Sequence, residues 1–162
     1  MTITCGLKWQ ALRSVLFSIV VLFILAGSSE AYAATLTVPS GGDFQAALNA
    51  AAPGDTIILE ASASFIGPFT LPAKASTSSS FITIQSSALA SLPASRVSPQ
   101  HASLMPKLLS PGNNLPALLT APSAHHYRFS GVEFAPLNAS VYLRELIRLG
   151  DGSSDQNSLS EV

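Results

Sequence analysis

"GGDFQAALNAAAPGDTIIL", Gly41 to Leu59, is the stretch that decides the fold. Phe44, Ala47, Leu48 and Ala51 recur at i, i+3, i+4 and i+7, which draws one apolar stripe along a helix. Gln45 and Asn49 lie off that stripe. Asp43 or Gly42 can cap the N-terminus. Ala52, sitting before Pro53, is biased out of the helical region, so Pro53-Gly54-Asp55 ends the element. The helix spans only about ten residues, too few to hold in water alone, so it must lean on other structure. Thr56 to Glu60, "TIILE", then starts a short apolar strand.

The chain upstream of this unit has a different character. Lys8 and Arg13 form a positive region, and Val15 to Ala26, "VLFSIVVLFILA", is apolar and uncharged. "AYAA", Ala31 to Ala34, puts small residues where a signal peptidase cuts, after Ala33. Residues 1–33 therefore read as a secretory signal peptide. The competing reading, a permanent anchor, needs roughly 20 apolar residues, and this run is shorter. Ser28 in "LAGS" occupies the place a lipidated cysteine would need. The expected location is outside the cell, in a periplasm or at the cell surface, with no membrane association after cleavage near Ala33. Cys5 is the only cysteine of the 162 residues and leaves with the leader. The mature domain must then hold by packing and hydrogen bonds without a disulfide. The whole chain carries a formal charge of −1, spread without blocks. Such a balance offers no electrostatic footprint for nucleic acid or an anionic membrane.

Downstream, strand signals recur. "TLTV" (Thr35 to Val38) precedes the helix, and "GPFTLP" (Gly67 to Pro72) follows the first apolar strand. "ASTSSS" (Ala75 to Ser80) reads as a polar loop. "FITIQSS" (Phe81 to Ser87) is the clearest strand, with Phe81 and Thr83 on one side and Ile82 and Ile84 on the other. "MPKLLSP" (Met105 to Pro111), "ALLTAP" (Ala117 to Pro122), "HHYRFSGVEFAP" (His125 to Pro136) and "RELIRLGDG" (Arg144 to Gly152) complete the set. The strong apolar runs at Ile57-Ile58-Leu59, Ile82-Thr83-Ile84, Leu108-Leu109, Phe129 to Phe134 and Leu146-Ile147 are spaced roughly 20 to 25 residues apart, as in a solenoid. An irregular β-sandwich also gives many short strands, though usually spaced about 8–12 residues apart.

The segment "VPSGGDFQAALNAAAPGDTIILEASASFIGPFTLP", together with "FITIQSS" and "HHYRFSGVEFAP", resembles the secreted right-handed parallel β-helix proteins of the pectin-lyase-like group. The likeness runs from about Thr35 to Asp151. It implies an all-β fold: a right-handed parallel β-helix of three short sheets, with an N-terminal capping α-helix over its open end. On this reading residues 34–152 are the N-terminal coils, and residues 153–162 are a polar tail or the start of a further coil. At about 25 residues per turn the segment holds four or five coils, fewer than the family resemblance implies. The expectation is an N-terminal portion of a β-helix related to polysaccharide lyases or hydrolases of the pectin type, inactive by itself. The alternative is a non-catalytic binding or structural β-helix at the cell surface. Polysaccharide is the expected partner. An open coil edge could also support self-association.

No catalytic residue can be named from the sequence, and no cofactor or metal site is expected. The resemblance implies Ca²⁺ only for a full-length relative. His125-His126 is conspicuous, but neighbouring residues of a strand point to opposite faces and chelate one metal poorly. Asp43, Asp55, Glu60, Glu133, Glu145, Asp151 and Asp155 are scattered. Asp43 and Asp55 read as a helix cap and a turn residue. Glu133 and Glu145 could approach on neighbouring coils beside Arg128, Arg144 and Arg148, and an acidic-basic ladder on a solvated face is the simplest account of them. "GDG" (Gly150 to Gly152) lacks the ligand pattern of a Ca²⁺ loop. Asn138-Ala139-Ser140 fits a glycosylation sequon. No nucleophile-elbow motif is present.

Overall fold

The computed structural model describes residues 32–74 and 79–150. Residues 1–31 of the proposed leader, most of the Ser/Thr tract, Asp151, Asp155 and the tail lie outside the described residues. Among the described residues no helix is long and apolar enough to cross a membrane.

The described chain is mostly strand, arranged in parallel sheets. β1 (Thr35–Val38) leads into α1 (Phe44–Ala50), then β2 (Thr56–Leu59), β3 (Ser64–Ile66) and β4 (Phe69–Leu71). β5 (Ile82–Ser86) is followed by two 3₁₀ turns, Leu89–Ser91 and Pro99–Leu104, then β6 (Lys107–Ser110) and β7 (Leu118–Thr120). β8 (Tyr127–Ser130), β9 (Glu133–Pro136) and β10 (Ile147–Arg148) complete the series. One sheet has the order β1-β2-β5-β8, a second β3-β6-β9, and a third β4-β7-β10. Every strand pair in them is parallel.

The register puts like beside like. Leu36 pairs with Ile57, Ile57 with Ile84 and Ile84 with Phe129. Phe65, Leu108 and Phe134 align in the second sheet, and Phe69, Leu118 and Ile147 in the third. Strands alternate faces, so one row enters the core and the next faces out. Ile57, Leu59, Ile84, Leu71 and Leu108 are fully buried.

The sequence spacing needs a correction. The evenly spaced apolar runs do not belong to one sheet: Leu108-Leu109 lies in the second sheet and Leu146-Ile147 reaches the third, while Ile57 and Ile82 belong to the first. Within the first sheet the steps are unequal. Thr35 pairs with Thr56, Thr56 with Thr83, and Thr83 with Arg128, each step longer than the one before. The last step is long because the chain between β5 and β6 inserts both 3₁₀ turns. Periodicity alone sees an apolar run but not its sheet. β3 was also hidden in "ASASFIG", and "HHYRFSGVEFAP" holds two strands, not one, parted at Gly131.

α1 is a seven-residue helix with Asp43 as its N-cap, whose side chain accepts from the Ala46 N–H at 2.9 Å. Its apolar stripe buries Phe44, Ala47 and Leu48. The Phe44 ring sits 4.9 Å from Phe69, edge-on, and 6.1 Å from Phe65, so it bridges two of the sheets. Gln45, off the stripe, has a structural task of its own. Its Nε2 donates to the Thr70 carbonyl at 2.9 Å and its Oε1 accepts from the Thr70 N–H at 2.8 Å. Thr70 lies on β4, the outermost strand of its sheet on that side. The amide supplies the donor and acceptor that a neighbouring strand would have supplied, which blunts an edge that could otherwise pair with another chain.

Asp55 ties the turn together. It is only 7% exposed, and its two carboxylate oxygens accept from the N–H groups of Ala34 (2.7 Å) and Ala52 (2.8 Å). Gly54 sits at φ +100, a left-handed conformation that favours glycine. Gly67 has a different reason: a Cβ there would lie 2.4 Å from the Ala117 carbonyl, so only a hydrogen lets β4 and β7 approach. Buried hydroxyls close the ends of three later strands. Ser86 donates to the Leu104 carbonyl, Ser110 donates to the Leu115 carbonyl and Thr120 accepts from the Gly150 N–H. These satisfy backbone groups where the chain leaves a ladder.

Candidate functional site

The outward rows of the four-stranded sheet carry the polar residues. Thr56, Thr83 and Arg128 align across three strands, and Ile58, Gln85 and Ser130 form the next row. Arg128 is exposed, whereas its neighbour Tyr127 points inward, is 3% exposed and donates its hydroxyl to the Pro72 carbonyl at 2.6 Å. Burial pushes the Tyr127 phenol up to about 12.

Arg128 does not stand alone. Its guanidinium carbon lies 4.6 Å from the centroid of the Phe81 ring, a cation–π distance. Phe81 also packs against His126, with ring centroids 5.2 Å apart. His126 meets His125 edge-on at 4.7 Å, and the two Nδ1 atoms are 2.8 Å apart. The expectation that these histidines face opposite ways is thereby corrected. They precede β8 rather than belonging to it, and His126 adopts φ 59, which folds the two rings onto the same side. One Nδ1 donates and the other accepts, with the direction set by the tautomers. The group Phe81, His125, His126 and Arg128 is therefore a continuous aromatic and basic patch at the start of β5 and β8. Among the described residues no three His, Cys, Asp or Glu side chains converge as a metal-binding group.

The carboxylates are elsewhere, and each described one has a contact. Asp43 caps α1 and Asp55 holds its turn. Glu60 accepts from the Ser40 N–H at 2.6 Å. Glu133 lies 3.7 Å from Lys107, its register partner on the neighbouring strand. Glu145 pairs with Arg148, three residues on. Glu133 and Glu145 thus sit in separate ion pairs, Glu133 on β9 of the second sheet and Glu145 just ahead of β10 of the third. They form no shared acidic centre beside Arg128. The ladder expected of them beside Arg128, Arg144 and Arg148 is instead two separate ion pairs, Glu133 with Lys107 and Glu145 with Arg148. Both are partly exposed and worth little individually. Lys74 donates to the Asn49 carbonyl at 2.8 Å. Burial lowers its ammonium pKa and the nearby Asp55 charge partly restores it.

The sequence reading named Arg128 only as one of three neighbouring arginines, and it did not see Phe81 as the ring beneath it. The alternation in "FITIQSS" put Phe81 on the same side as Thr83, but only the pairing of β5 with β8 brings Arg128 over it. No protein-family profile matches this chain, and neither does any curated protein or solved structure.

Proposed function

We propose that the three parallel sheets are the three faces of a right-handed parallel β-helix, each coil adding one strand to each sheet, with α1 as its N-terminal cap, and that this secreted domain binds an acidic polysaccharide along the outward face bearing Arg128. The β-helix reading is supported by the order of visits. β2, β3 and β4 enter the three sheets in turn, β5, β6 and β7 repeat that order, and β8, β9 and β10 repeat it again. Parallel crossovers of this kind are right-handed in the great majority of proteins. α1 lies where such a coil would otherwise expose its core and its first strand edge.

One observation carries the binding reading: Arg128 is an exposed guanidinium seated on an aromatic ring, without a carboxylate partner among the described residues. Seated over Phe81, the guanidinium keeps its N–H groups available to a carboxylate, which it can meet in two parallel hydrogen bonds. Thr83, Gln85 and Ser130 add hydroxyl and amide groups on the same outward side. A uronate-containing chain presents carboxylates and hydroxyls in that mixture. Binding without turnover is favoured over lyase or hydrolase chemistry because the five described carboxylates are each engaged in capping, turn or ion-pair contacts.

Affinity electrophoresis or calorimetry with polygalacturonate tests this. The protein is expected to be retarded by the polymer. Arg128→Gln should weaken binding about tenfold or more, while Arg148→Gln, whose parent residue is already paired with Glu145, should change it little. Equal binding by the parent and Arg128→Gln, or no retardation at all, contradicts the proposal. Release of unsaturated uronides in the presence of Ca²⁺ would replace it with the lyase reading.

A further inference from the structure

A second site lies outside this face, on the loops that follow β6 and β9. A cleft of about 380 Å³ is lined by Pro111, Gly112, Asn113, Asn114, Ser140, Val141 and Tyr142. That volume is within the range of small-molecule sites. Its lining contains no charged side chain.

The cleft is built by two turns. Asn113 and Asn114 both adopt left-handed backbone, φ 56 and 60, in a tight reversal closed by the antiparallel bridge between Gly112 and Leu115. The Leu115 N–H donates to the Gly112 carbonyl at 3.0 Å, and the Gly112 N–H donates to the buried Ser110 hydroxyl at 3.1 Å. Facing it, the Asn138 side chain accepts from the Ser140 N–H at 3.0 Å, which fixes the loop that presents Val141 and Tyr142. The two loops touch at the floor: a Cβ on Gly112 would come within 3.0 Å of Val141 Cγ1.

The groups left over on this frame are specific. Tyr142 is 75% exposed. A single exposed tyrosine is ordinary, but this one flanks two side-chain amides that bond to nothing among the described residues, beside the hydroxyl of Ser140. Each amide offers donors and an acceptor together. A flat ring beside paired donor-acceptor groups, without charge, suits a ligand that has an apolar face and a rim of hydroxyls. Tyr and Asn also give up little conformational freedom on binding, especially on a backbone already fixed. An anionic ligand would lack a cation here, and a metal ion would lack a carboxylate.

We propose that this cleft binds a neutral saccharide, with Tyr142 stacking on the sugar face and Asn113 and Asn114 bonding its hydroxyls. The proposal does not rest on the acidic-polysaccharide reading, since its residues and its ligand class are different.

The test is saturation-transfer NMR followed by calorimetry of the purified protein with a panel of neutral oligosaccharides: cello-, xylo-, manno- and galacto-oligosaccharides. At least one is expected to bind. Tyr142→Ala should weaken that binding about tenfold or more, and Tyr142→Phe should retain most of it. Asn113→Gly with Asn114→Gly removes both amides while keeping residues that accept the left-handed backbone, and it should weaken binding similarly. The melting curve of each variant is expected to match the parent. The proposal is overturned if no member of the panel binds, or if Tyr142→Ala binds like the parent. Running polygalacturonate beside the panel separates the two sites: loss of one ligand's binding leaves the other reading standing.

Discussion

The inward apolar side chains at α1 are enclosed: Phe44 is 1% exposed and Leu48, Leu59 and Leu71 not at all. Around β10 they are not, with Ile147 40% and Leu149 52% exposed. Both regions use the same parallel pairing. They differ in what covers the sheet. At the helix end, Phe44 spans two sheets and Gln45 completes the backbone bonding of β4. Near β10 the chain is held by a two-residue ladder with β7, by the hydrogen bond between Thr120 and Gly150, and by the local pair of Glu145 and Arg148. Parallel pairing sets the register in both places, but only side chains that cross between sheets seal the core. The less sealed region is also where the exposed Tyr142 and the Asn turn lie, as expected if recognition groups collect on loops held by a rigid scaffold.

The comparison can be broken most strongly at Phe44. Phe44→Ala removes a buried ring and should cost about 3–5 kcal/mol of unfolding free energy. It is measured by denaturant titration. A loss below about 1 kcal/mol would mean that α1 is not sealing the core. Gln45→Ala should cost about 1–3 kcal/mol, because it strands the backbone groups of Thr70, and it should speed hydrogen exchange at the Thr70 amide before other strand amides. An unchanged Thr70 exchange rate would contradict edge capping.

Tyr127 sharpens the same contrast through pH. Burial pushes its phenol up to about 12 in the folded chain, from about 10 for a tyrosine in water. The folded state therefore holds the proton more tightly than the unfolded state. The resulting stability is fully present below pH 10 and fades as pH rises toward 12. The denaturation midpoint should fall across that window, and Tyr127→Phe should flatten the fall. At the other end of the scale, Ile147→Ala on the exposed strand should cost less than about 1 kcal/mol.

Much of the helix end was legible in the sequence. The i, i+3, i+4, i+7 stripe, the Asp43 cap and the Pro-Gly-Asp stop are local signals, and local physics sets them. Alternation alone put Ile82 and Ile84 on one face of their strand, and that face is the buried one. Other features depend on partners distant in sequence. Gln45 looked like an ordinary off-stripe polar residue until β4 was placed beside it. Ser86, Ser110 and Thr120 each precede a turn, a weak sign that their hydroxyls would bond the backbone beyond. His126 gave no sign of its left-handed backbone, so the histidines were assigned opposite faces. Equal spacing of apolar runs suggested equal coils, because a pattern of hydrophobicity does not record which sheet a strand joins. The patch around Arg128 was the least legible part, since Phe81 and Arg128 meet only through the pairing of β5 with β8.

That pairing is also the most direct point of attack. Gln85 and Ser130 are register partners on adjacent parallel strands, facing outward. In a Cys5→Ser background, Gln85→Cys with Ser130→Cys places two thiols within reach of a disulfide. Gln85→Cys with Arg128→Cys shifts the pairing by two residues and puts the thiols on a longer diagonal. Under mild oxidation the in-register pair is expected to cross-link readily, read as a mobility shift reversed by reductant, and the shifted pair to do so poorly. Equal cross-linking by both, or none by the first, would contradict the stacking of β8 on β5.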